Sequence, residues 1–220
     1  MDVIISIKNA SKDFGRERVL RNVTRDFEAG MIHGIVGNNG SGKTVLMKCI
    51  CGFLTLTEGI VTVRGKRVGI DMDFPPDLGL IIETPGFLPQ YSGVKNLEIL
   101  AALNKKIGLK EIAATIRRVG LDPYLKKPVG KYSLGMRQRL GIAQAIMENP
   151  SLLILDEPLN GLDKHGVAEM RALIKGLRED GKTILLASHN QGDIDELCDT
   201  VCEMDAGVMT AIRGYEACGR

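Results

Sequence analysis

The chain has 220 residues, of which 44% are hydrophobic and 25% are charged, a composition that predicts a globular protein with a sizeable core. Lys and Arg total 29 against 27 for Asp and Glu, so the formal net charge of +2 argues against a strongly polyanionic partner. Basic residues cluster at positions 16–25 and 64–67, but no aromatic residues or nucleic-acid motifs accompany them. We therefore expect solvated faces there and no direct nucleic-acid partner.

The first residues of the chain lack the basic start and long apolar stretch of a signal peptide, and no segment reaches the roughly 18 apolar residues of a membrane span. We therefore expect a cytoplasmic location, with any membrane role exerted through a partner. The five cysteines are Cys49, Cys51, Cys198, Cys202 and Cys218. They form no Cys-x-x-Cys pair and have no nearby histidines, which predicts reduced thiols and argues against a zinc site.

The first third of the chain is predicted to be rich in strands. Short β-branched runs place strands at residues 3–7, 19–25, 31–36, 59–63 and 78–82, with one helix at about 43–52. The middle is predicted to be helical, at 94–104, 109–119 and 134–149, separated by Gly and Pro. After it we expect strands at 152–155, 183–187, 200–204 and 208–213 and helices at 164–180 and 192–198. Strands that alternate with helices predict a mainly parallel sheet covered on both faces.

The segment at 37–44 reads glycine, four free positions, then Gly-Lys-Thr, and follows the apolar run at 31–36. A loop between a buried strand and a helix can direct backbone N–H groups at the phosphates of a nucleotide, where the helix N-terminus adds partial positive charge. The residues predicted to bind phosphate are Gly37, Asn38, Asn39, Gly40, Ser41, Gly42, Lys43 and Thr44. Lys43 would supply a mobile charge, and the Thr44 hydroxyl would suit Mg²⁺.

A second chemical segment, at 152–158, consists of four apolar residues followed by Asp156, Glu157 and Pro158. The apolar run predicts a buried strand whose carboxylates lie at its C-terminal end, where ligands of open α/β sheets bind. Asp156 would hold the Mg²⁺ hydration shell, and Glu157 would be the general base for an attacking water.

Three further motifs establish a family resemblance. They are Tyr132-Ser133-Leu134-Gly135-Met136-Arg137-Gln138, Asn160-Gly161-Leu162-Asp163 and Ser188-His189. In this order they resemble the nucleotide-binding domain of ATP-binding cassette (ABC) transporters, over essentially all of residues 1–213. The resemblance implies one such domain over residues 1–220, with an α/β P-loop NTPase core of RecA type at about 1–83 and 150–220. It also implies an antiparallel β subdomain and an α-helical subdomain inserted at about 84–149.

The resemblance also assigns roles to single residues. It implies that Phe14 stacks on adenine, that His189 contacts the γ-phosphate, and that Asp163 communicates with an opposing subunit. Ser133 and Gly135 would close over an ATP held by that second subunit. Simpler readings of single positions stay open: Phe14 as a core or turn aromatic residue, His189 as a surface histidine, and Ser133 as a helix N-cap.

Two departures from the family pattern accompany these matches. Leu134 and Met136 replace a glycine and a glutamine of the family's signature motif, which lies within residues 132–138 here, and Glu83 stands where the family has a glutamine that serves the Mg²⁺ site. Glu83 could bind Mg²⁺ or its water, or it could be a salt-bridged loop acid. Both variants are similar to the ATPase subunits of bacitracin-type antibiotic and peptide exporters.

The resemblance implies MgATP-driven closure of two nucleotide-binding subunits, identical or different, coupled to an integral membrane permease. Two alternatives stay open: a soluble ABC-type ATPase that acts on nucleic acid or ribosomes, and an ATP-sensing module that binds without turnover. The first alternative usually comes with two cassettes in one chain or a long coiled-coil insertion, and this sequence has neither.

Overall fold

The structure is a computed structural model that describes residues 2–83 and 85–214. Thr84, where the predicted helical segment starts, and Cys218 lie outside these described residues. The strands are β1 (Val3–Phe14), β2 (Glu17–Glu28), β3 (Ile32–Val36), β4 (Glu58–Val63), β5 (Lys66–Arg67), β6 (Leu78–Ile81), β7 (Leu152–Asp156), β8 (Thr183–Ala187), β9 (Thr200–Asp205) and β10 (Val208–Arg213). The helices are α1 (Lys43–Cys51), α2 (Gly93–Asn104), α3 (Leu109–Arg118), α4 (Leu134–Ile146), α5 (Lys164–Glu179) and α6 (Gln191–Leu197), with a 3₁₀ turn at Val129–Lys131.

The larger sheet has six strands in the order β10-β9-β3-β8-β7-β6. Its strands from β9 to β6 run parallel, and β10 pairs antiparallel with β9 at one edge. Every residue of β7 and β8 is buried. Along β7, Leu153 and Leu155 pack into one core cluster, while Leu152 and Ile154 pack into the other. A strand covered on both faces needs this continuous apolar run, which the sequence shows.

The smaller sheet is antiparallel, in the order β2-β1-β4-β5. Its buried face, which includes Ile7 and Phe27, shares one hydrophobic cluster with Ile35 of β3 and with Leu46 and Ile50 of α1. Helix α1 therefore packs in the layer between the two sheets. This packing fixes the helix that follows the glycine-rich loop from both sides.

The remaining helices share the second hydrophobic cluster. Helices α5 and α6 contribute Ile174 and Ile194, which pack with Leu186 of β8. Helices α2, α3 and α4 join the same cluster, and α4 lies beside the edge strand β6. The result is a RecA-like P-loop NTPase core with an antiparallel sheet and a group of helices inserted between β6 and β7. The division into a core (about 1–83 and 150–220) and a helical subdomain (about 84–149) stays a prediction.

The predicted elements are confirmed, but some of their ends are not. Strand β1 continues to Phe14 instead of ending at residue 7, because a bulge at Asn9, with a φ of 50°, interrupts the alternation without ending the pairing. Helix α4 ends at Ile146 instead of 149, since Asn149 takes a φ of 55° directly before Pro150. The two-residue β5 and the 3₁₀ turn are too short to give a periodic signal.

A buried histidine lies in the middle of the larger sheet. His33 is 1% exposed, with Nε2 2.8 Å from the backbone oxygen of Glu28 and Nδ1 2.7 Å from the Thr200 hydroxyl. A carbonyl oxygen only accepts, so Nε2 donates to it and Nδ1 of the neutral ring accepts from the hydroxyl. Burial lowers the pKa of His33, because the charged ring would lose its hydration; the Glu28 carbonyl and Asp199 oppose this effect.

We predict that His33 makes the free energy of unfolding fall in mild acid. The pKa of His33 in the folded chain lies below its unfolded value of about 6.5. Between these two pKa values the histidine is protonated in the unfolded chain and neutral in the folded chain. Each pH unit between the two values then lowers stability by about 1.4 kcal/mol. Urea unfolding at several pH values should show a shallower pH dependence for His33→Gln than for the unsubstituted chain. Identical slopes would contradict the assignment.

Candidate nucleotide-binding site

The glycine-rich loop lies between β3, which ends at Val36, and α1, which begins at Lys43. Gly37 has a φ of 145°, and a Cβ there would collide with the backbone oxygen of Met204 on β9. Gly42, directly before the helix, has a φ of 107°. Only glycine takes these conformations without strain, so backbone geometry explains the glycines at positions 37 and 42.

Two side chains of the loop are poised for an anion. Lys43 is 6% exposed, and its ammonium group donates to the backbone oxygens of Gly37 at 2.6 Å and Asn38 at 3.0 Å. The hydroxyl of Ser41 is buried and has no hydrogen-bond partner among the described residues. A buried donor without an acceptor costs about 1–3 kcal/mol. Phosphate oxygens would give the hydroxyl an acceptor and give the ammonium a stronger one than a carbonyl.

Thr44 connects the loop to the end of β7. Its hydroxyl donates to Oδ2 of Asp156 at 2.5 Å, and Asp156 is itself 7% exposed. A hydroxyl and a carboxylate are oxygen ligands of the kind Mg²⁺ prefers, and their contact puts both on one side of a cavity of about 600 Å³. Other residues that line the cavity include Asn39, Gly40, Lys43, Glu83, Glu157 and Asn160. The donor set therefore fits a Mg²⁺-nucleotide complex.

Glu157 and His189 are brought together at the ends of β7 and β8. Glu157 has a φ of 50°, and its backbone N–H donates to Ala187 at 2.9 Å. Its Oε1 lies 2.9 Å from Nδ1 of His189. Because a carboxylate only accepts, Nδ1 carries the proton of this hydrogen bond, and Nε2 takes no part in it. Glu157 lines the cavity, and His189 is joined to it through this bond without being among the lining residues.

Glu83 has a partner on the helix that follows the loop. Its φ is 59°, its side chain is 62% exposed, and its Oε1 accepts from Nζ of Lys48 at 2.6 Å. The carboxylate also lines the cavity. Of the two alternatives for Glu83, the structure shows the salt-bridged loop acid, and its side chain also borders the cavity. Its role toward Mg²⁺ stays a prediction.

Phe14 is not among the described residues that line this cavity. It is the last residue of β1, 46% exposed, and the ammonium of Lys12 lies 5.1 Å from its ring centroid. The simpler reading as a core residue is wrong, because a core side chain would be buried. An exposed aromatic face leaves room for adenine stacking, which stays a prediction.

The signature segment and the segment at 160–163 lie against each other. Ser133 is the N-cap of α4 and accepts from the N–H of Met136 at 3.2 Å, which confirms that simpler reading. Asp163 is the N-cap of α5 and accepts from the N–H of Gly166 at 2.8 Å. A second concavity, of about 500 Å³, is lined by both segments, including Gly135. The structure thus groups Ser133, Gly135 and Asp163 together, apart from Lys43 and Thr44.

Leu134 replaces a signature glycine and packs over Gly161. Gly161 has a φ of 78°, and a Cβ there would collide with Cδ2 of Leu134. The large residue at position 134 is therefore accommodated by the missing side chain at position 161. Leu134 lines both concavities and is 55% exposed.

Gln138 belongs to the motif at 132–138, but its sequence context predicts no role for it. Gln138 is 9% exposed, and its amide donates to the backbone oxygens of Glu157 at 3.2 Å and Pro158 at 2.8 Å. It therefore holds the turn that carries Glu157. The only sequence signal was a polar residue within the apolar pattern of a helix.

The described cysteines are buried thiols. Burial raises the pKa of Cys49 to about 11 and that of Cys51 to about 12, which keeps both protonated. Cys198 follows α6 and Cys202 lies in β9, so the two do not share one helix. Within residues 2–83 and 85–214, no group of three or more His, Cys, Asp or Glu residues is arranged to hold a metal ion. Across the same residues, no helix has the length and apolar character needed to span a membrane.

Comparison with known proteins agrees with this geometry. A model of the ABC transporter family matches residues 20–160. The chain is 43% identical to the uncharacterised ABC transporter ATP-binding protein YybJ of Bacillus subtilis, over 93% of this chain and 94% of that protein. It is 38% identical to the bacitracin transport ATP-binding protein BcrA of Enterococcus faecalis, over 94% of this chain and 68% of that protein.

A third relative and a solved structure are also similar to the chain over almost its whole length. Identity is 34% to the lantibiotic transport ATP-binding protein SrtF of Streptococcus pyogenes, over 97% of this chain and 92% of that protein. The fold is similar, with a TM-score of 0.85 at 24% identity, to the dimeric structure of MJ0796, a bacterial ABC transporter cassette, over 96% of this chain and 100% of that one. The chain therefore belongs to the ABC transporter family, as an ATPase that is the ATP-binding subunit of a transporter.

Proposed function

We propose that the loop at 37–44 binds the triphosphate of ATP and that Thr44 and Asp156 hold Mg²⁺. The observation that carries the proposal is the Thr44–Asp156 hydrogen bond beside the buried Lys43 ammonium. Bound Mg²⁺ would neutralise phosphate charge as it develops. Glu83, which borders the same cavity, would bind the ion or its water once its ion pair with Lys48 opens. That pair is exposed, so its opening costs little.

Glu157 is the general base in this proposal, and His189 is its partner at the γ-phosphate. The proposal is supported by their 2.9 Å hydrogen bond, since Glu157 lines the cavity and His189 contacts its carboxylate. A phosphate oxygen only accepts, so the contact requires a proton on Nε2 of His189 as well as on Nδ1. Glu157 would take the proton of the attacking water, while Gln138 holds the turn on which it sits.

A second subunit would complete each site. Ser133 and Gly135 lie at the N-terminus of α4 beside Asp163, where a hydroxyl and backbone N–H groups could receive the γ-phosphate of an ATP bound elsewhere. Since they line a different concavity from Lys43, we infer that they serve the ATP of a partner cassette. Phe14 would stack on the adenine of the chain's own ATP.

The membrane partner is a permease, and the cargo is an antibiotic, a peptide or a lipid-like molecule moved outward. This part of the proposal is supported by two relatives that are named as a bacitracin transport and a lantibiotic transport ATP-binding protein. Their ATP-binding proteins share 38% and 34% of their residues with this chain. The protein would then be peripheral on the cytoplasmic face of the membrane, bound to its permease.

We predict that Glu157→Gln binds ATP but hydrolyses it slowly. Loss of a general base typically lowers the rate by roughly 10²- to 10⁴-fold, while the phosphate-binding loop stays intact. Steady-state ATPase assays and size-exclusion chromatography with ATP should show slow turnover and a more persistent dimer. Glu179→Gln, an exposed substitution at the end of α5, is the matched control and should behave as the unsubstituted chain. Full turnover by Glu157→Gln would refute the base assignment.

We predict that Lys43→Ala loses nucleotide affinity. The substitution removes the buried charge and its two hydrogen bonds to the loop backbone, so both attraction and loop geometry suffer. Titration calorimetry with ATP should detect no binding at concentrations that saturate the unsubstituted protein. Lys110→Ala, which removes an exposed charge from α3, should leave affinity unchanged. Equal affinity of both variants would count against the loop as the phosphate site.

We predict that the tagged chain co-purifies from detergent-solubilised membranes with a multi-span membrane protein encoded beside it. The proposed transport needs a membrane-spanning permease as the partner of this ATP-binding subunit. Co-expression of the two proteins and mass spectrometry of the purified complex should give a defined ratio of subunits. Recovery of the chain alone, or with nucleic acid, would contradict the transport assignment.

A further inference from the structure

A buried carboxylate lies behind the loop that carries His189. Asp193 of α6 is 4% exposed, and its Oδ2 accepts from the hydroxyl of Ser188 at 3.2 Å. Ser188 is 3% exposed, and its oxygen also accepts from the backbone N–H of Asn190 at 3.1 Å. One hydroxyl therefore ties the residue before His189 to the residue after it. Asp193 fixes the orientation of that hydroxyl.

The other oxygen of Asp193 binds a helix of the core. Its Oδ1 accepts from Nε of Arg171 at 2.9 Å and from Nη2 at 2.5 Å. The two side chains are 5% and 19% exposed, so little water competes for these charge-assisted hydrogen bonds. Arg171 lies on α5, the helix that Asp163 caps. The His189 loop is thereby attached to α5. This helix begins beside Ser133, Gly135 and Asp163, which form the proposed dimer surface.

We propose that Asp193 is a positioning residue for ATP hydrolysis. It holds the Ser188 hydroxyl, which fixes the backbone on both sides of His189, so that Nδ1 stays 2.9 Å from Glu157. A small displacement of a catalytic group is enough to lower a rate substantially. The inference rests on the proposed role of His189 at the γ-phosphate.

A second acid, Glu196, also joins α5 to α6, so this connection does not depend on Asp193 alone. Arg171 also donates from Nη1 to Glu196 at 2.5 Å, and Lys175 donates to the same carboxylate at 3.0 Å. Glu196 is 41% exposed and lies on the solvent side of the helix pair. Both acids neutralise Arg171, but of the two only Asp193 has a hydrogen bond to Ser188 within the described residues. Glu196 is therefore a matched control for charge removal.

The substitution Asp193→Asn tests the hydrogen bond with little change of shape. An amide offers one acceptor oxygen and one N–H₂ donor, so it cannot accept from Arg171 and from Ser188 through separate oxygens. With its oxygen toward Arg171, its N–H₂ group would face Ser188, whose hydroxyl would have to turn and accept. We expect kcat for ATP hydrolysis to fall by about tenfold or more, with KM for ATP changed less than about twofold, because ATP binding uses other residues. Glu196→Gln should stay within about twofold of the unsubstituted enzyme in both constants.

A double-mutant cycle with His189→Ala separates positioning from general stability. If Asp193 acts through His189, then Asp193→Asn should lower kcat by less than about twofold once His189 is absent. Equal factors in both backgrounds would overturn the inference, as would unchanged kcat in Asp193→Asn. If that variant does not fold, Ser188→Ala takes its place with the same expectations. Full turnover by His189→Ala would refute the proposed role of His189 itself, whereas loss there with normal turnover in Asp193→Asn would refute only the positioning role.

Discussion

The hydrogen bond between Thr44 and Asp156 joins residues 112 positions apart, and the site depends on the sheet order that allows it. Strands β3, β8 and β7 are parallel neighbours, so their C-terminal ends meet at one edge of the sheet. The glycine-rich loop leaves β3, His189 follows β8, and Glu157 follows β7. The glycine-rich loop, the histidine and the carboxylates therefore converge because three buried strands point the same way.

A second constraint is the close packing around the loop and the signature. Met204 of β9 leaves no space for a side chain at Gly37, and Leu134 leaves none at Gly161. At the first position the close approach shapes the glycine-rich loop. At Gly161 the close approach of Leu134 joins the signature motif to the segment at 160–163. These two parts of the proposed dimer surface therefore form one unit. A departure from the family pattern is thus matched by a glycine elsewhere in the same surface.

Sequence patterns predicted the structure correctly where the feature lies within a single strand or helix. The apolar run before Asp156 predicted a strand buried on both faces, and β7 is buried throughout. The hydroxyl of Ser133 predicted an N-cap, and it accepts the expected hydrogen bond. Strand ends were less predictable, because the bulge at Asn9 lets β1 continue through pairing with β2, the next strand, and with β4, which follows only after α1.

The sequence by itself determined the glycine-rich loop, the carboxylate pair and the order of strands and helices, because each of these features depends on a run of consecutive residues. The tertiary structure decided what those residues touch: Glu83 pairs with Lys48, Phe14 lies outside the cavity lining, and Asp193 reaches Ser188 and Arg171. The physical reason is that hydrogen bonds and ion pairs depend on distances in space. Those distances follow from sheet order and helix packing, which spacing along one chain does not specify.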